Sequence, residues 1–288
     1  PLIVGLAVTA VLLITALVAR ERRAEEPILP PRLFRLSIVR VTLVLNLVAG
    51  LLFLAGLYFV SAYLQFVDGV EPTASGIYLI PFMGSTVAST ILVGRLVERS
   101  GRYRIYPIVG TIVALVGVVL LTRLNAGSSP AHVIVSAAVL GFGLGLVMQV
   151  LILAIQNAVG SRDVGVATSS SMFARQLGGA IGLALLGSVL NSRLGYWLPR
   201  LTPKSAHLDV TTLRGRPETL GHLSAATREG VVVSFARSLH TVFLWSLPLA
   251  VLAIVLALML RERPLREHVH DIRPGDDLAI ALEGAVID

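Results

Sequence analysis

Gly94-Arg95-Leu96-Val97-Glu98-Arg99-Ser100-Gly101-Arg102-Tyr103-Arg104 is the stretch on which the reading of this chain turns. It sets four arginines and one acid between two long apolar runs, in a chain of mean hydropathy +0.82. An ordinary solubilising loop needs no such density of charge. A short reversal between two membrane-crossing helices uses it, because arginines hold the helix ends at the water boundary. Gly94 permits close approach of another helix, and Gly101 permits a positive φ in the reversal. Glu98 suits the positive N-terminus of a neighbouring helix, while Arg99, Arg102 and Arg104 suit helix C-termini or lipid phosphate.

Composition agrees. Only 14% of the 288 residues are charged and 55% are hydrophobic, against about a quarter charged in soluble domains. Uncharged runs approach the roughly 20 residues that cross a bilayer core. The net charge of +7 is carried by arginine, with Lys204 the only lysine. A basic balance of this kind suits nucleic acid, but these arginines gather at the ends of apolar runs, so no nucleic-acid partner is expected. The absence of cysteine excludes disulfide and thiol chemistry. The apolar runs lack the alternation of barrel strands.

These features predict an all-α membrane protein with seven transmembrane helices: Pro1–Ala19, a span within Val41–Phe66, then about Ala74–Val93, Ile105–Leu121, Ala131–Ala158, Val166–Leu190 and Thr241–Leu260. The first has no basic region before it and no cleavage site after it, so it reads as a span rather than a signal peptide. The sequence opens inside this hydrophobic element, which suggests a piece of a longer chain. Loop 20–40 is basic and broken by Pro27, Pro30 and Pro31. Arginine-rich short loops stay cytoplasmic. Loop 20–40, turn 94–104 and the tail 261–288 are therefore expected inside, and the long stretch 191–237 outside. Within that stretch Leu220–Val233 is expected as an amphipathic helix on the membrane surface.

The spacing Gly94-x-x-x-Glu98-Arg99-x-Gly101-Arg102 resembles the loop motif of the major facilitator superfamily, which carries Asp where this chain has Glu98. Tyr63-Leu64-Gln65, Gly69, Ala74-x-Gly76 and Pro81 are similar to its fourteen-helix multidrug drug:proton antiporter branch (EmrB/QacA-like). So are Gly141-Phe-Gly143-Leu-Gly145, Gln156-Asn157, Asp163-x-Gly165 and Arg175-Gln176-Leu-Gly178-Gly179-Ala-x-Gly182. The resemblance covers most of residues 30–260. It implies that 41–260 is the C-terminal six-helix bundle, that 1–19 is a linker helix, and that the N-terminal half is the missing partner. It also implies a lipophilic small-molecule substrate, and protons taken up by acids outside this chain, since no Asp or Glu sits in the middle of any span.

Candidate site residues follow from the cost of polar groups in hydrocarbon. Arg175 is the one fully charged residue well inside a span; it either takes a gating role beside Gln176 or snorkels to the cytoplasmic face. Asn46, Tyr63, Gln65, Gln149, Gln156 and Asn157 are candidates for a substrate path, and serve equally as interhelical hydrogen bonds. Ser85 and Thr86 share that ambiguity. Gly141/Gly145 and Gly178/Gly182 permit close helix packing. The glycines of 141–145 have no preceding strand, so no nucleotide loop is expected. His132 and His240 are placed at helix starts. His268-Val269-His270-Asp271 has too few ligands for a metal site. No catalytic set, metal or cofactor is expected. Export of some other small molecule, or a non-transporting membrane scaffold, are the alternatives.

Overall fold

A backbone N–H in hydrocarbon finds no water, so an apolar run closes its hydrogen bonds internally as helix. The structure, a computed structural model, describes residues 36–203 and 224–262 together with Thr9, Leu12, Thr15, Arg20 and Leu33. Among the described residues six helices are long and apolar enough to cross a membrane. They are α1 (Ser37–Phe66), α2 (Pro72–Ser100), α3 (Ile105–Thr122), α4 (Pro130–Ala158), α5 (Val164–Leu201) and α6 (Ala225–Met259). Helix α2 has a joint at Leu79, between Pro72–Tyr78 and Ile80–Ser100. Pro81, in the first turn of the second segment, has no N–H to offer the preceding turn.

The expected seven-helix fold with a linker helix is therefore corrected to a six-helix all-α bundle. Pro1–Ala19 lies outside the described residues apart from Thr9, Leu12 and Thr15, and no described residue before Leu33 enters the core. The physical reason is that length and hydropathy measure only the ability to cross a bilayer. They say nothing of packing, and the six helices bury one another without this run.

The second correction concerns 191–237. Residues 191–201 complete α5 and residues 225–237 begin α6. The stretch from Ala225 to Val233, expected as part of a separate surface helix, is the first turns of α6; residues 220–223 lie outside the described residues. Asn191, Arg193, Pro199 and Arg200 gave the segment a loop-like polarity. However, Leu186, Leu190, Leu194 and Leu198 recur every four residues and are all buried, forming one stripe that continues the helix against its neighbours. On α6, Val231, Phe235, Leu239 and Val242 are buried in the same way. Phe235 stacks on Phe66 of α1 with ring centroids 4.2 Å apart.

Glycines set the closest seams. A Cβ on Gly178 would collide with the backbone of Leu47, one on Gly182 with Leu51, and one on Gly50 with the Arg175 carbonyl, so α1 and α5 touch backbone to backbone. Gly141 and Gly145 do the same for α4 against Phe82, Thr86 and Ser89 of α2. Hydroxyls bridge that seam. Ser85 Oγ lies 2.8 Å from the Ala138 carbonyl and Thr86 Oγ1 3.1 Å from that of Gly141.

The bundle has two ends. At one, Tyr103 Oη donates to the Arg261 carbonyl and Arg104 Nη2 to the Leu258 carbonyl (3.1 Å), tying the start of α3 to the end of α6. At the other, Tyr63 Oη donates to the Asn125 carbonyl, tying α1 to the loop between α3 and α4.

Candidate functional site

A cleft of about 280 Å³ opens between α1, α2, α4 and α5. Gly50 and Phe53 of α1, Thr86 and Thr90 of α2, Gln149 of α4, and Arg175 and Gln176 of α5 line it. The glycine seams explain its position. Where α1 meets α5 and α2 meets α4 through glycine, the two pairs are drawn tight and the space between the pairs stays open.

Arg175 sits about 17 Å along α5 from Val164 at 1.5 Å per residue, within the apolar part of the helix. It is half-buried and, with Gln149 and Gln176, makes no side-chain hydrogen bond among the described residues. A guanidinium at that depth is costly unless it meets water, an anion or a partner helix. Here it borders the open cleft.

The other polar residues of the predicted path divide. Asn46 is buried and its Nδ2 donates to Ser171 Oγ at 2.7 Å, joining α1 to α5. Gln156 Nε2 donates to Thr168 Oγ1 at 3.0 Å, joining α4 to α5. Gln65 Nε2 reaches Ser61 and Ser75 at 2.9 and 3.0 Å. Tyr63 is buried beneath the far loop. Asn157 is half-buried near the end of α4. Of the six, Gln149 alone lines the cleft. Thr90 and Gly50 were missed. Neither stands out in sequence, because their roles arise only when helices distant in the chain are brought together.

The charged turn is exposed. Gly101 caps α2 with φ +64° and its N–H bonds to the Val97 carbonyl at 2.9 Å. Glu98, Arg99 and Arg102 are exposed, and their side chains have no partner among the described residues. Tyr103 is fully buried and anchors the turn. At Gly94 nothing lies within 4 Å of where a Cβ would stand, so no helix of this bundle makes the close approach that the sequence suggested.

The opposite end of α2 is acidic. Asp68 follows α1 in the loop before Gly69, whose φ is +68°. Its Oδ2 is buried with no hydrogen-bond partner, and burial pushes the carboxyl up to about 6. His240, expected at a helix start, lies well inside α6. His268, His270 and Asp271 lie outside the described residues.

Six apolar helices, with a cleft lined by polar side chains between four of them, define a multi-pass helical membrane protein. Comparison with known proteins supplies the family. The model of the Major Facilitator Superfamily matches residues 2–183. An uncharacterised MFS-type transporter of Mycobacterium tuberculosis is 37% identical over 280 residues, covering 96% of this chain and 39% of the relative. The multidrug transporter protein MdtP of Bacillus subtilis is 33% identical over 313 residues, covering 98% of this chain and 57% of the relative. A tetracycline resistance determinant of Streptomyces rimosus is 30% identical over 295 residues, covering 91% and 83%. The chain belongs to the major facilitator superfamily, and so to a class of transport proteins rather than enzymes. It spans less than two thirds of the first two relatives.

Proposed function

We propose that this chain is the C-terminal half of a proton-coupled multidrug efflux antiporter that works by alternating access. Two six-helix halves rock about a site near the bilayer midplane, and this chain supplies one wall. The observation that carries the reading is Arg175, a charge on an apolar helix, in a cleft walled by four helices, with Gln149 and Gln176 beside it and no partner of its own among the described residues. Names of relatives that handle multiple drugs and tetracycline support a lipophilic small-molecule cargo. The exposed apolar face of α2, with Ile80, Met83, Val87 and Ile91, is suited to cover by the other half. Proton-binding acids belong to that half.

In this reading Arg175 and Gln176 act near the gate, and Gly94, Glu98, Arg99, Gly101 and Arg102 form contacts that break when the inner side opens. Gly141/Gly145 and Gly178/Gly182 are seams on which helices slide. The turn and the C-terminus are cytoplasmic in the plasma membrane. In the full-length transporter, Arg175→Ala lowers efflux of a lipophilic cation about tenfold, equivalent to roughly 1.4 kcal/mol, with Arg175→Lys recovering part of it. Unchanged efflux at equal expression removes Arg175 from the mechanism. A cysteine introduced as Ser100→Cys stays unlabelled by an impermeant reagent added outside; labelling there reverses the topology.

A further inference from the structure

A second cavity, of about 550 Å³, lies at the other end of the bundle and belongs to no part of the transport cleft. Its origin is a step in helix length. Helix α3 has 18 residues, whereas α5 has 38 and α6 has 35. At 1.5 Å per residue α3 is about 27 Å long, close to the roughly 30 Å of a hydrocarbon core. Its start is pinned to the end of α6 by the Arg104–Leu258 hydrogen bond. Counting back along α6 from there, Thr122 comes level with about Thr241. Above that level α5 and α6 run on, and the space over the short helix is the cavity. It therefore stands where the headgroup layer meets the protein.

The lining is selective. Arg193 and Trp197 of α5 face Arg237 and His240 of α6, with Asn125 of the α3–α4 loop closing one side. The Arg237 guanidinium carbon sits 4.7 Å from the centroid of the Trp197 ring, which orients its fork. Among the described residues neither guanidinium has a hydrogen-bond or carboxylate partner, and none that lines the cavity is a carboxylate. Two guanidiniums at one site, without a partner among the described residues, match a phosphate, which accepts paired N–H donors. Below His240 the outer face of α6 continues as Leu244, Trp245, Val251 and Leu252, all exposed. From 244 to 252 this stripe runs about 12 Å, close to the depth of one leaflet. Helix α6 lines no part of the α1–α2–α4–α5 cleft, so the stripe faces lipid.

We propose that this cavity is a binding site for an anionic phospholipid, with the phosphate held by Arg193 and Arg237 and an acyl chain laid along Leu244–Leu252. The apolar stripe continuous with the basic cavity favours a lipid over a free anion. The site stands independently of the efflux reading.

The test uses the chain purified in nonionic detergent. Trp197 and Trp245 are its only tryptophans, one in the cavity and one on the stripe. Phosphatidylglycerol with brominated chains quenches their fluorescence at a mole fraction about fivefold lower than brominated phosphatidylcholine. Arg193→Gln with Arg237→Gln abolishes that preference, Arg193→Lys with Arg237→Lys retains only part of it, because the charge stays and the paired donors are lost, and Arg228→Gln, outside the cavity, leaves it intact. Equal quenching by the two lipids in the unmutated chain overturns the proposal, whatever the variants do. So does a preference that survives the double glutamine change, or displacement of the lipid by inorganic phosphate at millimolar concentration, which would mark a free-anion site.

Discussion

The two ends of α2 use one backbone device for opposite purposes. Each reversal turns on a glycine of positive φ, Gly69 at +68° and Gly101 at +64°. Around Gly101 the charges are basic and open to solvent. Around Gly69 the charge is acidic, and the Asp68 carboxylate is half-buried with one oxygen unpaired. Identical backbone geometry thus gives one end that keeps its charge hydrated and one that holds its charge against desolvation. The difference lies in what packs above. Gly101 has nothing within 4 Å of a would-be Cβ, whereas Gly69 lies under Arg228 of α6, whose Nη2 would be 3.6 Å away.

Replacing these glycines sharpens the comparison most. A β-branched side chain at positive φ costs about 1–2 kcal/mol. Gly69→Val and Gly101→Val should each lower the thermal unfolding midpoint of the chain in detergent. The two losses should be similar, because the Arg228 Nη2 at 3.6 Å from a would-be Cβ on Gly69 is in ordinary van der Waals contact. Asn tolerates the left-handed region, so Gly101→Asn should recover most of the loss. A Gly101→Val chain as stable as the parent breaks the claim that the turn depends on this conformation.

Gly101 was legible in the sequence because a reversal this short between two apolar runs demands such a residue. Gly69 was legible as part of a short acidic turn, Asp68-Gly69-Val70-Glu71-Pro72, and through family resemblance. The six runs 37–259 were legible from hydropathy, but their ends were not: Leu194 and Leu198 extend α5 through a stretch whose arginines and proline read as loop. The cleft was half legible. Arg175 declares itself by charge in an apolar run, whereas Asn46, Gln65 and Gln156 look equivalent to Gln149 until the partners Ser171, Ser75 and Thr168 are in place. Hydrogen bonding between segments more than 100 residues apart, as for Asn46 and Ser171, leaves no local trace.

Asp68 tests the acidic end. Its folded-state pKa is raised to about 6 by burial, so the folded chain holds a proton that the unfolded chain releases near 4. Stability is therefore greatest below about pH 4 and declines as pH rises through about 6; two units correspond to about 2.7 kcal/mol, which solvent screening of this half-buried carboxylate reduces to roughly 1 kcal/mol. Tyr63 of α1 is the titratable group that faces it, and Arg228 of α6 lies over the neighbouring Gly69. Asp68→Asn should raise stability at neutral pH by a similar amount and flatten the decline. A parent chain whose unfolding midpoint does not fall between pH 4 and 7, relative to this variant, shows that the carboxylate is solvated after all.

The smallest effect on stability is expected at Gly94, one helical turn before Glu98, and it carries the sharpest contrast. In a helix interior Gly→Ala gains up to about 1 kcal/mol of propensity, and at Gly94 the space for a methyl group is free. Gly94→Ala should therefore leave this chain as stable as before or slightly more so. Compare Gly178, where the same methyl group would meet the backbone of Leu47 and overpacking costs about 1–3 kcal/mol. If the other half of the transporter approaches Gly94 as closely as α1 approaches Gly178, then Gly94→Ala lowers efflux in the full-length protein while the isolated chain gains stability. Efflux unchanged alongside that gain would mean that Gly94 meets only solvent or lipid in every state. The charged turn would then owe its spacing to Gly101 and to the arginines alone.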